Sequence, residues 1–289
     1  MSNGDNMKKI LSILLGALLL SGCSEKALHK YSMTATDIGF DTVVSFTAYT
    51  ENEAAFNSYS AELKKQFRYY DRLFDKYNSY DGVNNIKTIN DNAGRQPVEV
   101  EPVILDLLKL AKAYDTISDH QFDITMGSVL NIWHDYREAG TLANQKNKES
   151  SIPSMKELQT AAKHSGWKHV QIDEKNSTVY IDDRDVSLDV GGVAKGYAVE
   201  LIADQLQKDG LQHAIINGGG NIRLIGDKPD NEAWSVGIQI PNLKAQSTDS
   251  LISVKSKGDT SFVTSGDYQR YYTYKGKICL LYTSDAADD

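Results

Sequence analysis

The chain has 289 residues, enough for one large domain or two small ones, and 40% hydrophobic with 9% aromatic residues is ordinary globular composition. A net charge of −8 and a pI near 5.3 provide no basic stripe to offset phosphate repulsion, which argues against nucleic acid as a partner. The only cysteines are Cys23 and Cys279; if Cys23 is lipidated and Cys279 lies in a foreign tail, the folded domain holds no cysteine of its own, which excludes a disulfide framework or thiolate metal site there.

At the N-terminus, Lys8 and Lys9 precede an apolar run from Ile10 to Leu20 that is too short to span a bilayer as a mature helix. The run ends at Leu20-Ser21-Gly22-Cys23, the pattern of a bacterial lipoprotein signal. Cleavage before Cys23 would leave a diacylated N-terminus, and two acyl chains give stable anchoring. The expectation is a signal peptide over 1–22 with its true start at Met7, a linker over 23–34, and a lipid anchor on an extracytoplasmic or periplasmic membrane face. An ordinary secretory signal with a chance cysteine is the alternative.

A strand is predicted at Thr42 to Thr50, followed by a long amphipathic helix in which Phe56, Tyr59, Leu63, Phe67, Tyr70 and Phe74 recur every three or four residues. Most of these aromatics are expected in the core. A second helix begins at Pro102, a residue suited to a first turn, with Val103, Leu107, Ala111 and Tyr114 on one face. The polar stretch from Gly140 to Ser151 reads as a surface loop. Ser154 starts another helix, where Glu157 completes a capping box. Val170 to Ile172 and Thr178 to Ile181 form a hairpin around Asp173 to Ser177. His120, His134, His164, His169 and His213 are scattered without ligand spacing, so they read as surface or satisfied core residues rather than catalytic ones.

The chemistry concentrates in three later blocks. Asp189-Val190-Gly191-Gly192-Val193-Ala194-Lys195-Gly196-Tyr197 runs into an amphipathic helix carrying Leu201, Ile202 and Leu206, with Gly210 as its stop. Backbone N–H groups at a helix start, with Lys195 in the first turn, form an anion site. The spacing matches neither a Walker loop nor a dinucleotide fingerprint. Asn217-Gly218-Gly219-Gly220-Asn221 follows, then Thr264-Ser265-Gly266-Asp267-Tyr268-Gln269-Arg270-Tyr271-Tyr272. Thr264 and Ser265 either donate to phosphate or cap a turn. Tyr268, Tyr271, Tyr272 and Tyr274 either pack an edge strand or form a cleft wall.

These blocks occur in order with Phe40-Asp41-Thr42, Phe74 to Tyr77, Phe122-Asp123-Ile124-Thr125 with Trp133 downstream, and Trp234 to Pro241. Over about residues 35–278 the ordered set resembles the FAD:protein FMN transferases, the ApbE-type flavin transferases. The resemblance implies an α+β fold of mixed, largely antiparallel sheets with flanking helices, a T-fold-like single catalytic domain. It implies magnesium-dependent transfer of the FMN half of FAD onto a threonine or serine hydroxyl of another protein, such as a membrane redox subunit, with release of AMP. Asp189 and Lys195 match positions that contact FAD, and Gly192 one whose backbone carbonyl binds Mg2+. Tyr77 matches an aromatic position near the flavin, and Gln121, Phe122 and Asp123 match a segment lining the dinucleotide. Phe40 stands where many members have methionine, and an apolar contact is expected to survive the change.

The family pattern continues past Ile278 with an H-H-I-x-D-P-x-T-G segment holding a candidate base histidine, and later an A-D-x-x-x-T segment with two further metal ligands. Here the residues from Cys279 to Asp289 match neither. The expectation is a non-native tail over 279–289, a missing C-terminal part, and a chain that is inactive as it stands. Two other functions remain open: a magnesium-dependent FAD pyrophosphatase in which water replaces the acceptor hydroxyl, and a non-catalytic flavin-binding lipoprotein.

Overall fold

Two helices that each serve two hydrophobic cores tie the molecule together. The computed structural model describes residues 27–240, 250–266 and 271–280. The larger sheet contains β1 (His29–Ala35), β2 (Val44–Thr50), β6 (Ala214–Gly218), β7 (Asn221–Ile225) and β10 (Ser261–Val263) in the order β1-β2-β6-β7-β10, and every neighbouring pair is antiparallel. In β2 the side chains alternate, so Val44, Phe46 and Ala48 are buried on one face.

That face is covered by α1 (Glu53–Phe74), whose Phe56, Leu63 and Phe67 are buried at the spacing the sequence predicts. Asn52 caps α1, its side-chain oxygen accepting from the amide of Ala55 at 2.9 Å. The other cover is α6 (Gly191–Lys208), which ends before Gly210 as expected.

A second core lies over the antiparallel sheet β3 (Val98–Glu99), β5 (Thr178–Ile181) and β4 (Val170–Asp173), in the order β3-β5-β4. It is packed by α2 (Ile86–Asp91) and α3 (Pro102–Ile117). Helix α6 gives Val193, Ala194 and Ala198 to this core, then Val199, Ile202 and Leu206 to the first. Helix α1 does the same, with Phe56 to Phe67 in one core and Leu73 and Phe74 in the other. Two continuous helices shared in this way make one folding unit and fit the expected α+β, antiparallel class.

Several local expectations need correction. Part of the expected linker is β1, a full edge strand paired with β2 from His29 to Ala35. On α3, Leu107 and Ala111 are buried as expected and are joined by Ile104, Leu105 and Leu108, with Val103 partly buried, while Tyr114 is 44% exposed. The stretch read as a loop from Gly140 begins inside α4 (Gly127–Gln145). The physical reason is tertiary: Gly140 is buried against the ring of Tyr272, leaving no room for a Cβ. Tyr272 belongs to the hairpin β11 (Tyr271–Tyr274) and β12 (Lys277–Leu280), which packs on α4. Cys279 pairs with Tyr272 in that hairpin, so it lies in folded structure. At α5 (Met155–Ala161) Ser154 accepts from the Glu157 amide at 3.2 Å, while the Glu157 carboxylate accepts from the Tyr136 hydroxyl at 3.4 Å. The remaining pair, β8 (Trp234–Gln239) and β9 (Ser250–Ser256), is antiparallel with Trp234 buried against Leu224. Cys23, Asp267 and Tyr268 lie outside the described residues. No helix among the described residues is long and apolar enough to cross a membrane.

Candidate active site

A cleft of about 640 Å³ opens where α1 and α6 pass from one core to the other. Its floor is the start of α6, with Asp189, Val190, Gly191, Ala194 and Lys195. Its rim is the turn Gly39-Phe40-Asp41, and its far wall is the loop after α1 with Leu130, His134 and Arg137 of α4. Phe40, Tyr77, Asp189 and Lys195, widely separated in sequence, therefore meet in one concavity.

Asp189 sits just ahead of α6, where its Oδ1 accepts from the Gly191 amide at 3.0 Å. Its other oxygen forms a short ion pair with Lys76, and only 7% of the lysine side chain and 11% of the aspartate side chain are exposed. Burial, the largest single influence, lowers the Lys76 ammonium, but Asp189 and Tyr77 together outweigh it and hold the group above its ordinary pKa. Lys76 also donates to Asn131 Oδ1 at 3.0 Å, joining the floor to α4. Lys195 is 2% exposed, well away from the exposed side chain that a simple helix-start turn would give.

The rim turn runs through three successive positive φ angles, +114° at Gly39, 57° at Phe40 and 46° at Asp41. A left-handed conformation costs an ordinary residue about 1–2 kcal/mol, so something must hold it. Asp71 of α1 does: its Oδ1 accepts from the Phe40 amide at 2.6 Å, and a Cβ on Gly39 would stand 2.5 Å from the Asp71 Cβ. Burial pushes the Asp71 carboxyl upward, the Phe40 amide opposes this, and Asp75 and Asp41 add to the rise. The Phe40 ring meets Phe67 edge-on at 6.3 Å and packs against both cores.

On the far wall, Tyr77 is 53% exposed, with its ring 5.2 Å from that of His134 and the Lys76 ammonium 4.9 Å from its centroid. His134 Nδ1 lies 3.1 Å from Arg137 Nη2. Sequence reasoning grouped His134 with the bland histidines, because only the packing of α4 against the α1 exit brings it to the cleft. Its signal was faint: Trp133 and His134 follow the Phe122 block at a fixed distance but form no ligand spacing.

Gln121, Phe122 and Asp123 are not among the cleft-lining residues. Gln121 is exposed, Phe122 packs edge-on to Tyr114 at 6.3 Å, and Asp123 Oδ1 accepts from the Thr125 amide and hydroxyl. The segment still touches the floor through the backbone, since Asp189 N–H donates to the Ile124 carbonyl at 2.7 Å. Thr264 is exposed, and its amide donates to the Gly220 carbonyl at 3.2 Å.

The residue chain from 40 to 281 matches the family model described as "ApbE family". The chain belongs to the ApbE family. A Vibrio cholerae relative of the ApbE chain, named FAD:protein FMN transferase, is 25% identical over 270 residues, 93% of this chain and 75% of the relative. A Klebsiella pneumoniae protein of the same name is 29% identical over 192 residues, 66% of this chain and 55% of that protein. The crystal structure of an ApbE protein from Thermotoga maritima superposes with a TM-score of 0.71 at 27% identity, covering 90% of this chain and 78% of the other.

Among the described residues, the Mg2+ that the ApbE resemblance implies does not find a ligand set in the cleft. Gly192 is exposed in the first turn of α6, where a helix carbonyl points along the axis toward the amide four residues on. Asp189 is already committed to Lys76. Among the described residues, three ligating side chains come within reach of one ion only at His164, Asp183 and Asp185, which share no residue with the cleft. There His164 Nδ1 is 2.9 Å from Asp183 Oδ2, and the Asp185 amide first, then His164, hold the Asp183 carboxyl below its usual range.

Proposed function

We infer that the protein is an FAD:protein FMN transferase, and the observation that carries this reading is the convergence of Phe40, Tyr77, Asp189 and Lys195 on one cleft. Those are four of the seven matched positions that the family pattern assigns to FAD, Gln121, Phe122 and Asp123 lying outside the cleft lining. The shape supports the assignment: a concave, partly aromatic pocket with a few fixed polar groups is the usual form of a small-molecule site. Asp189 is oriented by Lys76 and the Gly191 amide, which holds its carboxylate in one place for a ligand. Transfer of this kind depends mainly on positioning and electrostatics.

In the finer reading, FMN passes to a threonine or serine hydroxyl of an extracytoplasmic protein and AMP leaves. The oxygen of the acceptor bonds to the FMN phosphorus, the pyrophosphate P–O bond breaks, and the hydroxyl proton goes to a base. Magnesium dependence belongs to this reading. The Cys23 pattern supports a lipid anchor on the membrane.

Incubating the protein with FAD, an acceptor domain bearing a candidate threonine or serine, and increasing Mg2+ tests the reaction. Flavin covalently retained on the acceptor after denaturation would establish the transfer; FMN and AMP released without labelling would make the protein a pyrophosphatase, and the absence of both products would bear out the expected inactivity of this chain. A separate measurement addresses the anchor: Cys23→Ala should shift the protein out of the membrane fraction, and an unchanged lipidated mass would remove that part of the reading.

A further inference from the structure

Arg137 determines what His134 can do. A guanidinium carries donors and no acceptor, so its 3.1 Å contact to Nδ1 requires that nitrogen to be unprotonated. The single ring proton of the neutral imidazole then resides on Nε2. Burial first, then the Arg137 charge, lower the pKa of His134; Glu138 opposes them, and Lys76 lowers it further against Asp135. Among the described residues Nε2 makes no hydrogen bond. His134 thus offers the cleft an uncharged N–H donor, and this tautomer cannot take a proton at Nε2 as a general base.

The surroundings decide which kind of acceptor suits that donor. The cleft holds five carboxylates, Asp41, Asp71, Asp75, Asp189 and Glu138, against three cations, Lys76, Lys195 and Arg137. FAD carries its negative charge on the pyrophosphate and none on the oxidised flavin ring, so the ring is the part of that ligand which an acidic excess does not repel. Beside His134 stands the half-exposed face of Tyr77, and Phe40, Phe74 and Leu130 complete an apolar surface. A flat, uncharged heteroaromatic with acceptors along one edge fits that combination.

We propose that His134 recognises the flavin ring, its Nε2–H donating to a carbonyl oxygen or ring nitrogen on the pyrimidine edge of a flavin lying against Tyr77. Arg137 is the positioning residue that fixes the tautomer. The proposal rests on the flavin transferase reading and assigns it a specificity-determining side chain.

Riboflavin and ADP, the two halves of FAD without the bond between them, are the probes, titrated into the full chain by fluorescence quenching and calorimetry. His134→Phe keeps a ring against Tyr77 and removes the donor; His134→Gln restores an amide donor. Riboflavin affinity should fall about fivefold in His134→Phe, the scale of one neutral hydrogen bond, and recover to within about twofold in His134→Gln. ADP affinity should be unchanged in both, and wild-type riboflavin affinity should be flat between about pH 6.5 and 8, above the ordinary histidine pKa. Equal riboflavin affinity in wild type and His134→Phe would overturn the proposal while leaving the transferase reading intact. So would a loss confined to ADP, or wild-type ADP binding that weakens as pH rises and ceases to do so in His134→Phe, since either means a charged imidazolium on phosphate. If the wild type binds neither probe, the flavin reading falls and the proposal with it.

Discussion

The two walls of the cleft are built on opposite principles. At the floor, Lys76 and Asp189 are almost fully withdrawn from water and held by each other, by Asn131 and by the Gly191 amide. On the far wall, Tyr77 is half exposed and meets His134 through ring contact rather than charge. A buried ion pair is costly to assemble and more costly to break, because the survivor remains charged in a poor solvent. An exposed aromatic contributes contact area to a ligand while adding little to the fold. The floor therefore couples stability to function, and the far wall should separate them.

The sharpest way to break this contrast is Asp189→Ala. It leaves the Lys76 ammonium unpaired, so stability should fall by about 3–5 kcal/mol, the scale for removing one partner of a buried pair. Flavin affinity should fall far more than in Asp230→Asn, which alters a carboxylate outside the cleft. Denaturant melts and flavin fluorescence titration measure the two effects, and equal flavin affinities for the two variants would remove Asp189 from the site.

At the rim, Gly39→Ala combines a strained positive φ with a collision against Asp71. A loss of about 1–3 kcal/mol is expected, the range for overpacking. Weaker flavin binding should accompany it, because Phe40 is displaced. Full affinity in a destabilised Gly39→Ala protein would show that the rim turn serves the fold alone.

For the far wall, Tyr77→Ala should cost about 1 kcal/mol of flavin binding through lost ring contact and leave the melting midpoint nearly unchanged. A large drop in the midpoint would erase the proposed difference between the walls.

The smallest effect is expected at Asp71. Its folded-state pKa is raised above its ordinary value of 3.8, so the charged form is the one the fold disfavours. The stability this carboxyl contributes is fully present below 3.8 and declines as pH rises through the raised folded-state value. Asp71→Asn keeps an oxygen that can accept from the Phe40 amide and carries no charge. It should match the wild type at low pH and gain about 0.5 kcal/mol or less near neutrality. A variant that loses stability with rising pH as the wild type does would assign the titration to another group.

Much of this architecture follows from local pattern. The three-or-four spacing of Phe56, Leu63 and Phe67 dictates a helix with one apolar face, and the alternation in β2 dictates a sheet with one buried side. The hairpin around Asp173 was equally legible, since Asp173 Oδ1 accepts from the amides of Lys175 and Asn176 and closes the turn locally. The ordered motif from Asp189 to Tyr197 by itself places Asp189 and Lys195 at a helix start.

What tertiary structure alone decided depends on contacts between residues distant in the chain. Gly140 to Gln145 reads as a polar loop because its helix has a weak apolar face; the Tyr272 ring packed onto Gly140 makes it a helix. Lys76 carries no sequence mark of function, and it becomes the partner of Asp189, 113 residues away, only when α1 and α6 cross between the cores. His134 likewise becomes a neutral donor only through Arg137 beside it and Tyr77 across the cleft. Sequence fixes local propensity and the order of the motifs, because these act over a few residues. The charge state and direction of a side chain in the cleft depend on burial and on partners, and the folded chain supplies both.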